Sequence, residues 1–84
     1  TSYMNIFTAN ADDLKFYPSV TDDYVNLSIR EYSEPIKTEI YALNGDFLDV
    51  QYGDKLSFNK FDAGIYFCSV YYKNKCTIIK IVKL

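Results

Sequence analysis

From Leu14 onward apolar and polar positions alternate in short stretches, with turn residues about every 8–12 positions, and that rhythm predicts strands packed as a sandwich or barrel. Leu14-Lys15-Phe16-Tyr17 reads as a short strand halted by Pro18, whose missing N–H suits an edge or the first strand of a sheet. After a turn at Asp22-Asp23, Tyr24 to Arg30 alternates cleanly, with Val25, Leu27 and Ile29 inward and Asn26, Ser28 and Arg30 outward. Ser33-Glu34-Pro35 breaks the pattern. Ile36 to Tyr41 resumes it with Ile36 and Ile40 inward, and Asn44-Gly45 offers the dipeptide of a tight hairpin, since both residues tolerate positive φ. Asp46 to Gln51 is the returning strand, and Tyr52-Gly53-Asp54 turns the chain again. Leu56 and Phe58 then point inward, and Phe61 plugs the bottom before a turn at Asp62-Ala63-Gly64.

The last two strands form a hairpin whose register follows from its turn. With Lys73-Asn74 as a two-residue turn, Tyr72 faces Lys75, Val70 faces Thr77, Cys68 faces Ile79 and Tyr66 faces Ile81, and these residues share the core face. The other face carries Ile65, Phe67 and Tyr71 beside Cys76, Ile78 and Val82, an apolar set too large for an ordinary solvated strand. The expectation is an all-β, antiparallel sandwich of about seven strands, with Leu27, Ile29, Ile40, Leu56, Phe58, Tyr66, Ile79 and Ile81 in its core. The same register sends Cys68 and Cys76 to opposite faces, where no disulfide is able to join them, so two free thiols are expected.

Residues 1–13 show no sustained period and read as a junction with whatever lies upstream, with a short strand near Met4-Phe7; residues 14–84 form the domain. Thr1 is no natural start, so the chain reads as the end of a longer protein.

Composition acts mainly by exclusion. An 84-residue chain needs dense apolar packing, which nine Tyr and six Phe supply. With no His and only two Cys, the materials for zinc sites, Cys-His nucleophiles and His acid-base catalysis are missing, so neither catalysis nor a cofactor is expected. Asp12-Asp13 and Asp22-Asp23 resemble calcium or acid-base pairs only superficially, since carboxylates in loops before strands are commonly solvated turns. No apolar run approaches the ~20 residues of a membrane span. Charge is uneven: residues 1–62 have a net charge of −6, whereas residues 63–84 hold four Lys and no acid. Lysines guarding an edge strand against aggregation explain this better than nucleic-acid binding, because the domain as a whole is acidic with a single Arg.

Asp62-Ala63-Gly64-Ile65-Tyr66-Phe67-Cys68 resembles the entry to the F strand of an immunoglobulin variable domain, where the Tyr hydroxyl bonds back to upstream backbone. An antibody-type core also needs an earlier Cys and a Trp, and the chain has neither before Cys68 or anywhere else, respectively. The sandwich survives without the disulfide.

The ordered set of motifs is more specific. Phe16-Tyr17-Pro18 precedes a polar turn and the alternating Tyr24–Ile29 strand; Ile36-Lys37-Thr38-Glu39-Ile40-Tyr41-Ala42-Leu43-Asn44-Gly45 follows; Leu56-Ser57-Phe58 leads through Phe61 to Gly64-Ile65-Tyr66-Phe67; and Lys80-Ile81-Val82-Lys83-Leu84 closes the chain. From Leu14 to Leu84 the chain resembles the C-terminal sorting domains of the type IX secretion system, in their shorter, Ig-like class. It departs from the family pattern at Tyr17-Pro18-Ser19-Val20, where Tyr-Pro-Asn-Pro is usual, and at Ala42, where Asp or Asn is usual.

The resemblance implies a non-enzymatic address label attached to an upstream cargo. Such labels direct folded cargo from the periplasm through an outer-membrane translocon to the cell surface or beyond, where a sortase-like peptidase commonly removes them. It marks Lys80, Ile81, Val82, Lys83 and Leu84, with Phe67 and Ile78 on the outer face, as recognition candidates. Tyr17, Pro18, Gly45, Gly64 and Tyr66 are its structural motif. The alternative is an extracellular adhesion or carbohydrate-binding module, for which Tyr24, Tyr32, Tyr52 and Tyr72 are the candidate stacking residues.

Overall fold

The structure, a computed structural model, describes residues 14–30 and 35–84. Its strands are β1 (Leu14–Tyr17), β2 (Val20–Thr21), β3 (Tyr24–Ile29), β4 (Lys37–Ala42), β5 (Phe47–Tyr52), β6 (Lys55–Ser57), β7 (Gly64–Tyr72) and β8 (Lys75–Lys83). They build a three-stranded sheet in the order β1-β3-β6 and a five-stranded sheet in the order β2-β8-β7-β4-β5. The alternation read from the sequence explains this arrangement, because each sheet has one apolar face and the two faces need each other to exclude water. All eight expected core residues are buried, together with Leu14, Val25, Ile36, Cys68, Val70 and Tyr72.

The β7–β8 hairpin has the expected register from Tyr72↔Lys75 to Tyr66↔Ile81. Lys73 and Asn74 both take positive φ, 48° and 60°, as a two-residue turn matched to strand twist requires. Cys68 and Cys76 are not joined in a disulfide. Below the hairpin, Phe61 stacks on Tyr66 at 5.3 Å between ring centroids, and Phe58 meets both rings edge-on. The Tyr66 hydroxyl donates to the Asp62 carbonyl at 2.5 Å, fixing the turn that launches β7.

Three local expectations are corrected. The described residues hold eight strands where about seven were expected, and one pairing is parallel: β2 runs alongside β8 with Val20↔Val82 and Thr21↔Lys83. After Pro18 the chain crosses to the second sheet, and two residues are too few to carry an alternation signal. The Asn44-Gly45 hairpin is looser than a two-residue turn. Gly45 alone takes positive φ, +98°, its N–H donates to the Ala42 carbonyl, and the β4–β5 register shifts between Ile40 and Tyr41. That is a three-residue loop with a bulge, in which Asn44 serves through its side chain by accepting from the Asp46 N–H at 3.0 Å. Finally, β3 ends at Ile29 and leaves Arg30 in a turn. The strand expected near Met4-Phe7 lies outside the described residues.

The two sheets are also tied through a polar bridge. Gln51 of β5 accepts from the Ser57 N–H at 2.8 Å and donates to the Ser57 carbonyl at 2.9 Å, so one side-chain amide caps the free edge of β6 as a neighbouring strand would.

Candidate recognition surface

Strand alternation divides β8 between two jobs. Ile79 and Ile81 point into the sandwich, whereas Ile78, Lys80 and Val82 point out beside Ser69, Phe67 and Ile65 of β7. Of the expected recognition residues, Phe67, Ile78, Lys80 and Val82 therefore share one outer face. Lys80 is exposed and the other three are half-buried. Ile81 is fully buried, Lys83 is half-buried at the end of the core side, and Leu84 is 67% exposed. The structural-motif residues sit elsewhere: Tyr17 ends β1 and Pro18 follows it, both exposed, Gly45 lies in the β4–β5 loop, and Gly64 and Tyr66 are at the start of β7.

The outer face continues past the hairpin onto β4 and β5, an extension that the sequence reading left out. Register places Phe67 beside Tyr41 and Tyr41 beside Phe47, while Ser69 lies beside Glu39 and Glu39 beside Val50. Tyr41 and Phe47 meet edge-on at 5.7 Å. The signal was present in Lys37-Thr38-Glu39-Ile40-Tyr41, whose alternation turns Glu39 and Tyr41 outward once Ile40 is inward.

Glu39 is the polar centre of this face. Its Oε1 accepts from the Tyr41 hydroxyl at 2.9 Å and from the Tyr71 hydroxyl at 3.0 Å, and its Oε2 lies 3.5 Å from the Lys37 ammonium. The Tyr41 and Tyr71 hydrogen bonds hold the Glu39 carboxyl below its ordinary value against the opposing effect of desolvation. The same bond, from the other side, raises Tyr41 and pushes Tyr71 up to about 12. Burial raises the Cys76 thiol and pushes Cys68 up to about 12, so neither is an activated nucleophile.

The exposed-aromatic reading fares differently. Tyr52 is 68% exposed and Tyr24 42%, but they belong to different sheets, and Tyr72 is 3% exposed with its hydroxyl bonded to Thr77 Oγ1 at 2.9 Å. Tyr32 and Asp12-Asp13 lie outside the described residues. Asp22 is exposed in its turn, and among the described residues no group of three or more His, Cys, Asp or Glu side chains gathers as metal ligands would. No helix among them is long and apolar enough to cross a membrane.

Against known families, the model describing the secretion system C-terminal sorting domain matches residues 15–84. No curated protein matches the chain.

Proposed function

Since the chain belongs to the family of secretion system C-terminal sorting domains, we propose that it directs an attached upstream cargo from the periplasm across the outer membrane through a type IX translocon. The secretion machinery reads the outer face of the β7–β8 hairpin, at Phe67, Ile78, Lys80 and Val82, with Lys83 and Leu84 completing the tail. The domain itself performs no chemistry. At the cell surface a sortase-like peptidase removes it from the cargo.

The observation that carries this reading is the division of β8. Ile79 and Ile81 are buried while Ile78 and Val82 beside them remain partly accessible, so the strand displays an apolar surface only when the sandwich is folded. Half-exposed apolar side chains gathered on one sheet face are characteristic of an interaction site. A glycan platform draws less support, because Tyr24 and Tyr52 belong to different sheets and Tyr72 is buried.

The test is a cargo fused to the domain in a type IX-secreting host. Deleting Lys80 to Leu84 should trap the cargo in the periplasm, and normal secretion of that truncation would rule out the sorting role. Ile78→Ser with Val82→Ser should impair export while costing the domain only about 1 kcal/mol of stability. Unimpaired export of the double variant would rule out the outer face as the contact and leave sorting intact.

A further inference from the structure

Resting on the sorting reading, we propose that the open edge of β8 at Ile78 and Lys80 receives an extended segment of the secretion machinery as an added strand, with apolar and acidic residues alternating along it.

The edge follows from the hairpin. In a two-residue hairpin the pair flanking the turn exchanges both main-chain hydrogen bonds, and bonded and non-bonded pairs then alternate along the ladder. Lys75, Thr77, Ile79, Ile81 and Lys83 therefore direct their N–H and C=O toward β7, and the even-numbered residues direct theirs away. The contacts of β2 agree with this parity: the Val82 N–H donates to the Ser19 carbonyl and the Leu84 N–H to the Thr21 carbonyl, each at 2.8 Å. This edge thus already accepts a strand at its far end. β2 pairs only at Val82 and Lys83, so the outward N–H and C=O of Ile78 and Lys80 have no strand beside them among the described residues.

Charge and alternation specify the occupant. Lys80 is exposed on this edge, and residues 63–84 contain no acidic side chain. A second copy of β8 would bring its own Lys80 and no acid to this edge, whereas carboxylates on an added strand would complement Lys80. The added strand's other side chains fall beside Thr77, Ile79 and Ile81, whose inward face requires apolar neighbours. Main-chain bonds to Ile78 and Lys80 supply affinity, and the alternating side chains supply selectivity.

The experiment compares Lys80→Pro, Lys80→Thr and Lys80→Glu in the full cargo fusion, beside the truncation lacking Lys80 to Leu84. Proline removes the outward N–H without taking a bond from β7, and edge strands tolerate it there. Threonine keeps the N–H and loses the charge. Export of Lys80→Pro should fall about tenfold below that of Lys80→Thr, the effect of one main-chain hydrogen bond, and Lys80→Glu should fall below both the parent and Lys80→Thr. Export of Lys80→Pro equal to that of Lys80→Thr, with the truncated cargo held back, overturns strand addition and leaves the sorting role standing. Normal export of the truncation overturns the sorting role instead. Should Lys80→Pro fail to fold, amide exchange on the parent domain decides. A blocked peptide alternating valine and glutamate should slow exchange at Ile78 and Lys80, and its valine–lysine counterpart should not. No slowing by the acidic peptide, or equal slowing by both, overturns the proposal.

Discussion

Truncating Ile81 tests whether the terminal strand is first of all a structural element. Its side chain is fully buried opposite Tyr66. Ile81→Ala removes three carbons, worth about 2.4 kcal/mol at about 0.8 kcal/mol per buried methylene. The cavity left behind adds about 1 kcal/mol, since packed neighbours relax only in part. A loss of about 3.5 kcal/mol is a large share of the roughly 4–13 kcal/mol that about 0.05–0.15 kcal/mol per residue gives a domain of this size. At about 4–8 °C per kcal/mol, the thermal midpoint should drop by about 14–28 °C. Ile78→Ser with Val82→Ser, on the opposite face of the same strand, should cost about 1 kcal/mol in total. Urea and thermal unfolding of the isolated domain measure both. Export adds a second readout. The Ile81→Ala fusion should recover at lower temperature, as its folded fraction rises, whereas the outer-face variant should not. A loss below about 1 kcal/mol for Ile81→Ala would refute the packing argument, given that large-to-small changes in a dense core cost about 2–5 kcal/mol. Equal losses from the two faces would refute the division of the strand.

Other consequences follow from individual side chains. Thr38 is fully buried and its Oγ1 has no hydrogen-bond partner among the described residues; Thr38→Val should therefore stabilise the domain by about 1–3 kcal/mol in urea unfolding, and a loss of stability would show that the hydroxyl is satisfied in solution. With the Cys68 thiol pushed up to about 12 and Cys76 half-buried, a disulfide-exchange reagent at pH 8 should modify Cys76 first and Cys68 only on unfolding. Mass measured without reductant should correspond to two thiols. Because the Glu39 pKa is lowered by its bonds to Tyr41 and Tyr71, this cluster contributes stability above the ordinary carboxylate range and loses it as pH falls through the depressed folded value. Tyr71→Phe should move the Glu39 titration, followed by carboxyl NMR, back toward the ordinary value, and an unchanged titration would mean that the Tyr71 bond does not form in solution.

The parts of the fold that were legible in the sequence are those in which a buried face forces the register. Val25, Leu27 and Ile29 on β3 and the paired faces of β7 and β8 admit no one-residue slip without turning the core outward. What escaped the sequence depends on alignments between distant segments. β2 is two residues long, and its position is fixed by bonds from Val82 and Leu84 rather than by any pattern of its own. The Glu39 cluster exists because β4 lies beside β7, bringing a carboxylate and a tyrosine 32 residues apart within a hydrogen bond. Tyr72 illustrates a competition between two legible signals: as a hairpin-flanking tyrosine it invited an exposed reading, while its register put it in the core. The core prevails because Thr77 gives its hydroxyl a buried partner.

Parity explains why one strand serves folding and display together. On β8, residues whose side chains enter the core also turn their main-chain groups toward β7, so Ile79 and Ile81 are committed to the domain in both respects. Ile78, Lys80 and Val82 do the opposite, presenting side chains on the outer face and main-chain groups at the edge. A reader of this strand therefore finds side-chain and backbone information on the same residues. An unfolded tail keeps those residues but loses their separation from Ile79 and Ile81, and a one-residue slip would exchange the two sets. Recognition of the outer face and edge, as proposed, would therefore discriminate folded domains from unfolded ones without a separate checking step, and would link export of a cargo to the packing of its label.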